Sequence, residues 1–303
     1  MRAVQLKHPR EAVEVVDLEL PHPRSGEVRV RIEACALGQL DWNLLTLDAP
    51  PRVPLIAGHE AVGVVEGTGQ RVLLTPLAAS CGSCAACASG DARRCVEVRW
   101  RGMHEDGLLA THVCVSERAL IPIDAAFSPE LAVIGGTAWT AVGAVRSLAL
   151  SRPSRIAVIG IGGVGHLVAQ VARAHGHEVF AHDVNPERLK NFAAIKGEGF
   201  DAAIVCTPSI QALQHAVRIS RHVFLCGTSP AGRVDLSLAD VVWRGVTLQG
   251  GLLGTRAQLD EAVQLISSGA VRPQVEMLSL DDVPARLWEL RDLGFSGRLV
   301  VRM

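Results

Sequence analysis

One stretch restricts the fold of this chain more than any other. Residues 155–176 read RIAVIGIGGVGHLVAQVARAHG: an apolar run of strand length, then Gly160-Ile161-Gly162-Gly163-Val164-Gly165, then apolar residues at helical spacing closed by Gly176. A strand that turns on glycines straight into a helix opens a βαβ unit, and its glycines have separate physical duties. Gly160 allows the tight turn, Gly162 lets the backbone approach a pyrophosphate, and Gly165 permits close helix–sheet contact, with Gly163 and Val164 completing the loop. The N–H groups of the first helical turn, at the positive end of the helix dipole, suit phosphate oxygens. The next apolar run, EVFAHD, ends in Asp183, 18 residues past Gly165. A carboxylate there accepts from the ribose hydroxyls and repels a 2′-phosphate, which favours NAD(H) over NADP(H). Arg188, five residues on, softens that preference.

The pattern continues with helix-like PERLKNFAAIKG, strand DAAIVC, helix SIQALQHAVRIS and strands HVFLCG and VTLQGG. Strands alternating with helices imply a parallel sheet covered on both faces. Thr207 and Gly227 follow successive strands at their carboxyl ends, where open parallel sheets bind ligands, so both are expected at the cofactor. Upstream of about residue 125 the pattern is β-rich: VEVVDLEL, VRVRIEACAL, GHEAVGVVEGTGQRVLL, THVCVS and ALIPI read as short strands between turns. Residues 128–150 are helical from a cap-like Ser128-Pro129-Glu130, residues 255–270 are helical again, and the tail holds helix DDVPARLWELRDLG and strand GRLVVRM. The fold class predicted is α/β. A β-rich domain of residues 1–135 and 253–303 is interrupted by a dinucleotide-binding domain of residues 136–252.

Composition narrows function. The 303 residues are 49% hydrophobic and 20% charged, enough for two packed domains. Thirty basic against 31 acidic residues, net −1, gives no electrostatic footprint for nucleic acid. No apolar stretch of about 20 residues suggests a membrane span, and the first residues lack a signal-peptide pattern, so a soluble cytoplasmic protein is expected. The absence of tyrosine excludes a tyrosine general acid.

Four of the eight cysteines, Cys81, Cys84, Cys87 and Cys95, fall within 15 residues of a long irregular stretch. Four closely spaced thiolates suit tetrahedral zinc, and with every position filled such a site is structural, one Zn2+ per chain. An iron–sulfur cluster or plain thiols are the alternatives, though nothing else in the chain points to electron transfer.

Gly58-His59-Glu60, this cysteine loop, the glycine turn, and the C-terminal segments GGLLGTRAQLDEAVQLISSG and GRLVV together resemble the zinc-containing alcohol dehydrogenase family of medium-chain dehydrogenases. The resemblance covers nearly the whole chain. It implies a GroES-like catalytic domain plus a Rossmann doubly wound domain. It implies hydride transfer between a nicotinamide and a small-molecule substrate, a carbonyl, alcohol or activated alkene, with Thr140 near the nicotinamide ring. It further implies a homodimer or homotetramer, sheets joining edge to edge at VTLQGGLLG. The family's catalytic zinc ligands are largely missing. The Cys three residues before Asp41 is Gly38, the relay hydroxyl is Leu40, the Glu of a strand position is Thr111, and Ile134–Ala141 offers no cysteine. His59, Asp41 and Glu60 survive and are the expected catalytic residues. His59 reads either as an imidazole simply bonded to Asp41 or as a general acid. Two other readings are a zinc site rebuilt from His59 with Cys35, Asp41 or His112, and a dinucleotide-binding protein without chemistry. Trp42 and Trp139 read equally as pocket or core.

Overall fold

The structure, a computed structural model, describes residues 1–46, 52–124, 127–228, 232–234, 236–290 and 297–303. The chain forms two units, Met1–Gly136 with Gln274–Met303, and Thr137–Pro273.

The first unit opens with strands β1 (Arg2–Leu6), β2 (Glu14–Asp17) and β3 (Glu27–Leu37) and helix α1 (Gln39–Thr46). Strands β4 (Leu55–Ile56), β5 (Glu60–Val65), β6 (Arg71–Leu74) and β7 (Leu77–Ala79) follow, then the short helix α2 (Ala85–Ala88) and strands β8 (Arg99–Trp100), β9 (His112–Ser116) and β10 (Ile121–Pro122). β3 is the hub: its first half pairs with β9, and it pairs with β5 along its length with an irregularity between Ile32 and Ala34. Its alternation gives way to continuous burial from Ala34 to Leu37, which marks the end of β3 as covered on both faces.

The second unit holds α3 (Thr137–Ser147), β11 (Arg155–Ile159), α4 (Gly165–Ala174), β12 (Glu178–His182), β13 (Ala193–Ala194), β14 (Ala202–Val205), α5 (Ile210–Ile219), β15 (His222–Leu225), α6 (Leu238–Arg244), β16 (Thr247–Gly250) and α7 (Arg256–Ser267). Its six strands are all parallel in the order β13-β12-β11-β14-β15-β16. Two sequence expectations change here. PERLKNFAAIKG is no helix: Asn185 caps a single 3-10 turn, Pro186–Leu189, and the chain returns to the sheet at β13. The connection is too short for a helix to cross the sheet, and Phe192 instead lies under the Arg173 guanidinium. The domain boundary at 253 also moves, because residues 253–273 belong to the second unit. α7 starts from a Thr255–Gln258 capping box and buries Leu259, Ala262 and Ile266, while the Trp139 indole of α3 donates to the Thr255 carbonyl at 2.9 Å. Helical periodicity shows which face is buried but not against what, so the sequence could not assign this helix to a unit.

The chain re-enters the first unit with β17 (Val275–Ser279), α8 (Val283–Glu289) and β18 (Arg298–Arg302). β18 pairs antiparallel with β3 and parallel with β17, completing the sheet β10-β6-β5-β3-β18-β17 with β9 on β3. Leu37, Leu108, Leu109, Val283, Leu287 and Leu299 lie in its main core.

Candidate active site and metal centre

In the second unit the glycine turn has the strained, close geometry its spacing predicts. Gly160 has φ +92°, and a Cβ there would press on the Thr207 side chain. A Cβ on Gly165 would fall on the Gly160 carbonyl. Gly162 instead faces open space, with only the Arg188 guanidinium 3.9 Å from where its Cβ would sit. Gly163 and Val164 lead into α4. Asp183, just past β12, accepts from the backbone N–H of Ile161 (2.6 Å) and of Asn185 (2.8 Å). It also pairs with Arg188 at 3.4 Å, both side chains almost fully buried. The carboxylate therefore braces the turn, and with about four acceptor sites it retains capacity for a ribose hydroxyl. Thr207 and Gly227 line a cleft with Ser209 and Thr228 at the carboxyl ends of β14 and β15. The Thr140 hydroxyl accepts from the Leu253 N–H at 3.0 Å, joining α3 to the segment before α7. Trp139 likewise spends its N–H on packing, and Trp42 belongs to the core of the first unit.

The cysteine loop converges. Gly82 and Gly90, both with φ +76°, turn the chain, α2 carries Cys87, and a 3-10 turn delivers Cys95. The four sulfurs lie within 4.8 Å of one another, with Cys81–Cys95 at 3.5 Å and Cys81–Cys87 at 3.9 Å. Zinc–sulfur bonds of about 2.3 Å at tetrahedral angles put sulfurs about 3.8 Å apart, so the ion fits. The Cys84 N–H points at the Cys81 sulfur and the Glu97 N–H at the Cys95 sulfur, both at 3.4 Å. The backbone N–H groups of Ser83 and Cys84 pull the Cys81 thiol down to about 6. These donors favour thiolates, the ligand form of cysteine. Among the described residues this is the one group of three or more His, Cys, Asp or Glu side chains whose ligand atoms converge.

A second polar cluster lies inside the first unit. Asp41, in the first turn of α1, accepts from the N–H of Gly38 (2.9 Å) and Gly58 (3.0 Å) and faces His59 Nδ1 at 3.1 Å. Glu60, at the start of β5, forms a buried ion pair with Arg298, at the start of β18. The register explains the pair. Glu60 stands opposite Ala36 on one side of β3, and Leu299 stands opposite Leu37 on the other. Arg298 thus sits beside Gly38, and a Cβ on Gly38 would fall inside its guanidinium. Sequence reasoning missed Arg298; the available signal was a charge opening the apolar run of the closing strand RLVVR. Cys35 lies against Gly58 as a neutral thiol, since burial pushes it well up and Asp41 and Glu60 add to the effect. His112 is elsewhere, on β9 beside Glu66. Among the described residues the ligand atoms of His59, Cys35, Asp41 and His112 form no converging group of three, and the Arg298 guanidinium takes up the space beside Gly38.

Burial alone would lower the His59 pKa, but the Asp41 charge, its hydrogen bond and Glu60 outweigh burial and the opposing Arg298 and raise it above the ordinary 6.5. Burial would raise Asp41, yet His59, the Gly38 N–H and Arg298 bring it below the ordinary 3.8. A raised imidazole stabilises fully below pH 6.5 and loses that contribution as pH rises through its folded value. A lowered carboxylate stabilises above 3.8 and loses it in acid. Among the described residues the charges acting on His59 are Asp41, Glu60 and Arg298. His59→Gln is expected to lose about 1.5–3 kcal/mol, as for a hydrogen bond between charged groups, near pH 5–6, and less at higher pH. Urea unfolding of both proteins across pH 4.5–8.5 checks this; a difference independent of pH would contradict it.

Comparison with known proteins places this geometry. Residues 24–125 match the family described as alcohol dehydrogenase GroES-like domain, and residues 127–229 match alanine dehydrogenase/PNT, C-terminal domain. An alcohol dehydrogenase of Geobacillus stearothermophilus is 28% identical with 100% of both chains aligned, and one of Moraxella sp. (strain TAE123) is 26% identical over 99% of each. Over its whole length the chain is similar to these alcohol dehydrogenases. Solved structures agree on the fold. The alcohol dehydrogenase of the archaeon Aeropyrum pernix superposes with a TM-score of 0.92 at 24% identity over 100% of both chains. A structure described as an NAD-dependent alcohol dehydrogenase gives 0.89 at 26% identity, again over 100% of both. The fold is thus the α/β combination of a GroES-like domain and a Rossmann sheet. Among its described residues no helix is long and apolar enough to cross a membrane.

Proposed function

We propose that this alcohol dehydrogenase-like chain transfers hydride between NAD(H) and a small carbonyl or alcohol, or an activated alkene, with one structural zinc in the cysteine loop and no catalytic zinc. The observation that carries the reading is the pairing, in one chain, of an intact dinucleotide turn with a buried His59–Asp41 pair whose neighbouring metal-ligand position is filled by Arg298. The backbone of Gly160–Gly165 and the start of α4 would hold the pyrophosphate, and Asp183, Thr207 and Gly227 would border the nucleoside. The bound cofactor supplies two electrons and a hydrogen as hydride. The protein handles the accompanying proton. Asp41 keeps the His59 ring oriented through Nδ1, and the imidazolium can release a proton from its other nitrogen to the substrate oxygen, or for an alkene to carbon. Oxidation runs the same transfer backwards, the neutral imidazole taking the proton. Glu60 pairs with Arg298 and orders the cluster.

Asp183 supports NAD(H) over NADP(H), and its pairing with Arg188 weakens that preference without reversing it. Cytoplasmic location is supported by eight free cysteines, none in a disulfide. A homo-oligomer is supported by β16, an edge strand exposed along its length, and by neighbouring exposed Leu238, Val242 and Trp243. Sedimentation equilibrium is expected to return at least twice the chain mass.

The test is isotopic. NADH carrying deuterium at the nicotinamide C4 is expected to label the reduced product of at least one carbonyl, quinone or enone in a broad panel. Tight NADH binding with no label transferred to any of them would favour a binding protein without chemistry.

A further inference from the structure

We propose that Cys206 and Cys226 form a reversible modification site, in which a peroxide joins the two sulfurs as a disulfide and the bond weakens dinucleotide binding at the glycine turn. The reaction at the sulfurs stands by itself; its consequence rests on the proposed cofactor placement. Of the eight free cysteines, four make up the cysteine loop, and among the other four Cys206 and Cys226 are the two in contact. Val205 and Leu225 are the last paired residues of β14 and β15, so the next residue on each strand brings one thiol beside the other. The Cys226 thiol points at the Cys206 sulfur at 3.6 Å and at the Val205 carbonyl at 3.5 Å. Neighbouring strands run about 4.8 Å apart, a backbone separation that a disulfide spans. Cys206 is half-buried and Cys226 is 7% exposed, so an oxidant meets Cys206 first.

The bond acts on the turn because nothing separates the two. The Cys206 Cβ lies 3.3 Å from where a Gly165 Cβ would sit, and the Thr207 Cβ lies 3.1 Å from where a Gly160 Cβ would sit. A Cβ on Gly227 would fall on the Thr207 carbonyl. Closing the sulfurs to a bond of about 2.05 Å takes a movement of about 1.5 Å. In a close-packed region that movement passes to the neighbours, here Gly160 and Gly165, whose backbone would face the pyrophosphate. The reaction balances in two steps. The Cys206 sulfur attacks one oxygen of hydrogen peroxide, the O–O bond breaks, and the other oxygen leaves as water with the thiol proton. Cys206 is then a sulfenic acid. The Cys226 sulfur attacks it, the S–O bond breaks, and the hydroxyl leaves as a second water with the Cys226 proton. Two electrons have passed from the sulfurs to the peroxide, and a dithiol returns them by exchange. The Cys226 contact and then burial hold the Cys206 thiol well above its ordinary value, so the pair stays protonated at neutral pH and reacts slowly.

Zinc-loaded protein is treated with hydrogen peroxide, remaining thiols are capped, and peptides are mapped without reduction while NADH affinity is read by fluorescence. Wild type is expected to give one peptide pair joined through Cys206 and Cys226 and to keep its zinc. It is expected to bind NADH at least tenfold more weakly until dithiothreitol restores it. Cys206→Ser/Cys226→Ser is expected to bind NADH as reduced wild type does, before and after peroxide. Cys206→Ala, which keeps the Cβ beside Gly165 and removes the thiol that meets the oxidant, serves if the double variant fails to fold. Wild type in which no such link forms overturns the proposal, as does a link that leaves NADH affinity unchanged. An equal loss of affinity in the variant lacking both thiols also overturns it, because the effect then lies in the cysteine loop. Reduced wild type that binds no NADH overturns the cofactor placement, and with it the control of binding; the linked peptide is read without NADH and then stands alone.

Discussion

Replacing Cys81 or Cys95 by serine is expected to empty the cysteine loop of zinc and to open residues 80–98 to protease while the main sheet of the first unit stays folded. Zinc contributes about 10–16 kcal/mol in small domains whose folding depends on it, and here that energy orders one loop and not a whole domain. The loop has little else to hold it. Its α2 helix has no buried residue, and among the described residues none of 80–98 joins the hydrophobic clusters of the first unit. Apart from sulfur-centred contacts, backbone turns and ion pairs such as the largely buried Arg93–Asp91 hold the stretch. The expected result is one zinc fewer per chain, cleavage in the loop at least tenfold faster, and retained far-UV circular dichroism. Unchanged zinc content in the variant would show that the metal sits elsewhere.

Gly165→Val is expected to lower NADH affinity at least 100-fold, about 2.7 kcal/mol. The reason is backbone against backbone. The added Cβ would fall on the Gly160 carbonyl, which cannot swing away as a side chain can, so α4 must lift from the turn. The N–H groups that would face the pyrophosphate move with it. Overpacking at such a contact costs about 1–3 kcal/mol of stability as well. Gly162→Ala is the informative companion: its Cβ meets no protein atom nearer than 3.9 Å, so stability should hold while the methyl intrudes where a phosphate would approach. Fluorescence titration with NADH beside thermal unfolding reads both. Equal NADH affinity in Gly165→Val and wild type would contradict the cofactor placement.

What could be read from the sequence was local. The dinucleotide turn and the cysteine loop each lie within a few tens of residues, and each residue type has one physical job at its spacing: Gly165 packs against the Gly160 carbonyl and the four cysteine sulfurs converge. The glycine at position 38, where the resemblance implies a metal ligand, was visible for the same reason. What fills its place was not, because Arg298 comes from the opposite end of the chain and meets Gly38 only through the pairing of β18 with β3. The same limit hid the allegiance of α7 and the role of Thr140, whose hydroxyl is engaged by a backbone N–H far along the chain. The turn at Pro186–Leu189 was misread as a helix because helix-forming residues fill it, while the geometry that shortens it lies in Asn185 and the return to β13.

Hydride transfer without a catalytic metal is decided by zinc per chain in protein that is turning over. Elemental mass spectrometry on chains purified without added metal is expected to give one zinc, with carbonyl reduction by NADH unchanged after brief treatment with a chelator that leaves this zinc in place. Two zincs, with activity lost as the second is stripped, would contradict the account and restore a metal to the site beside His59.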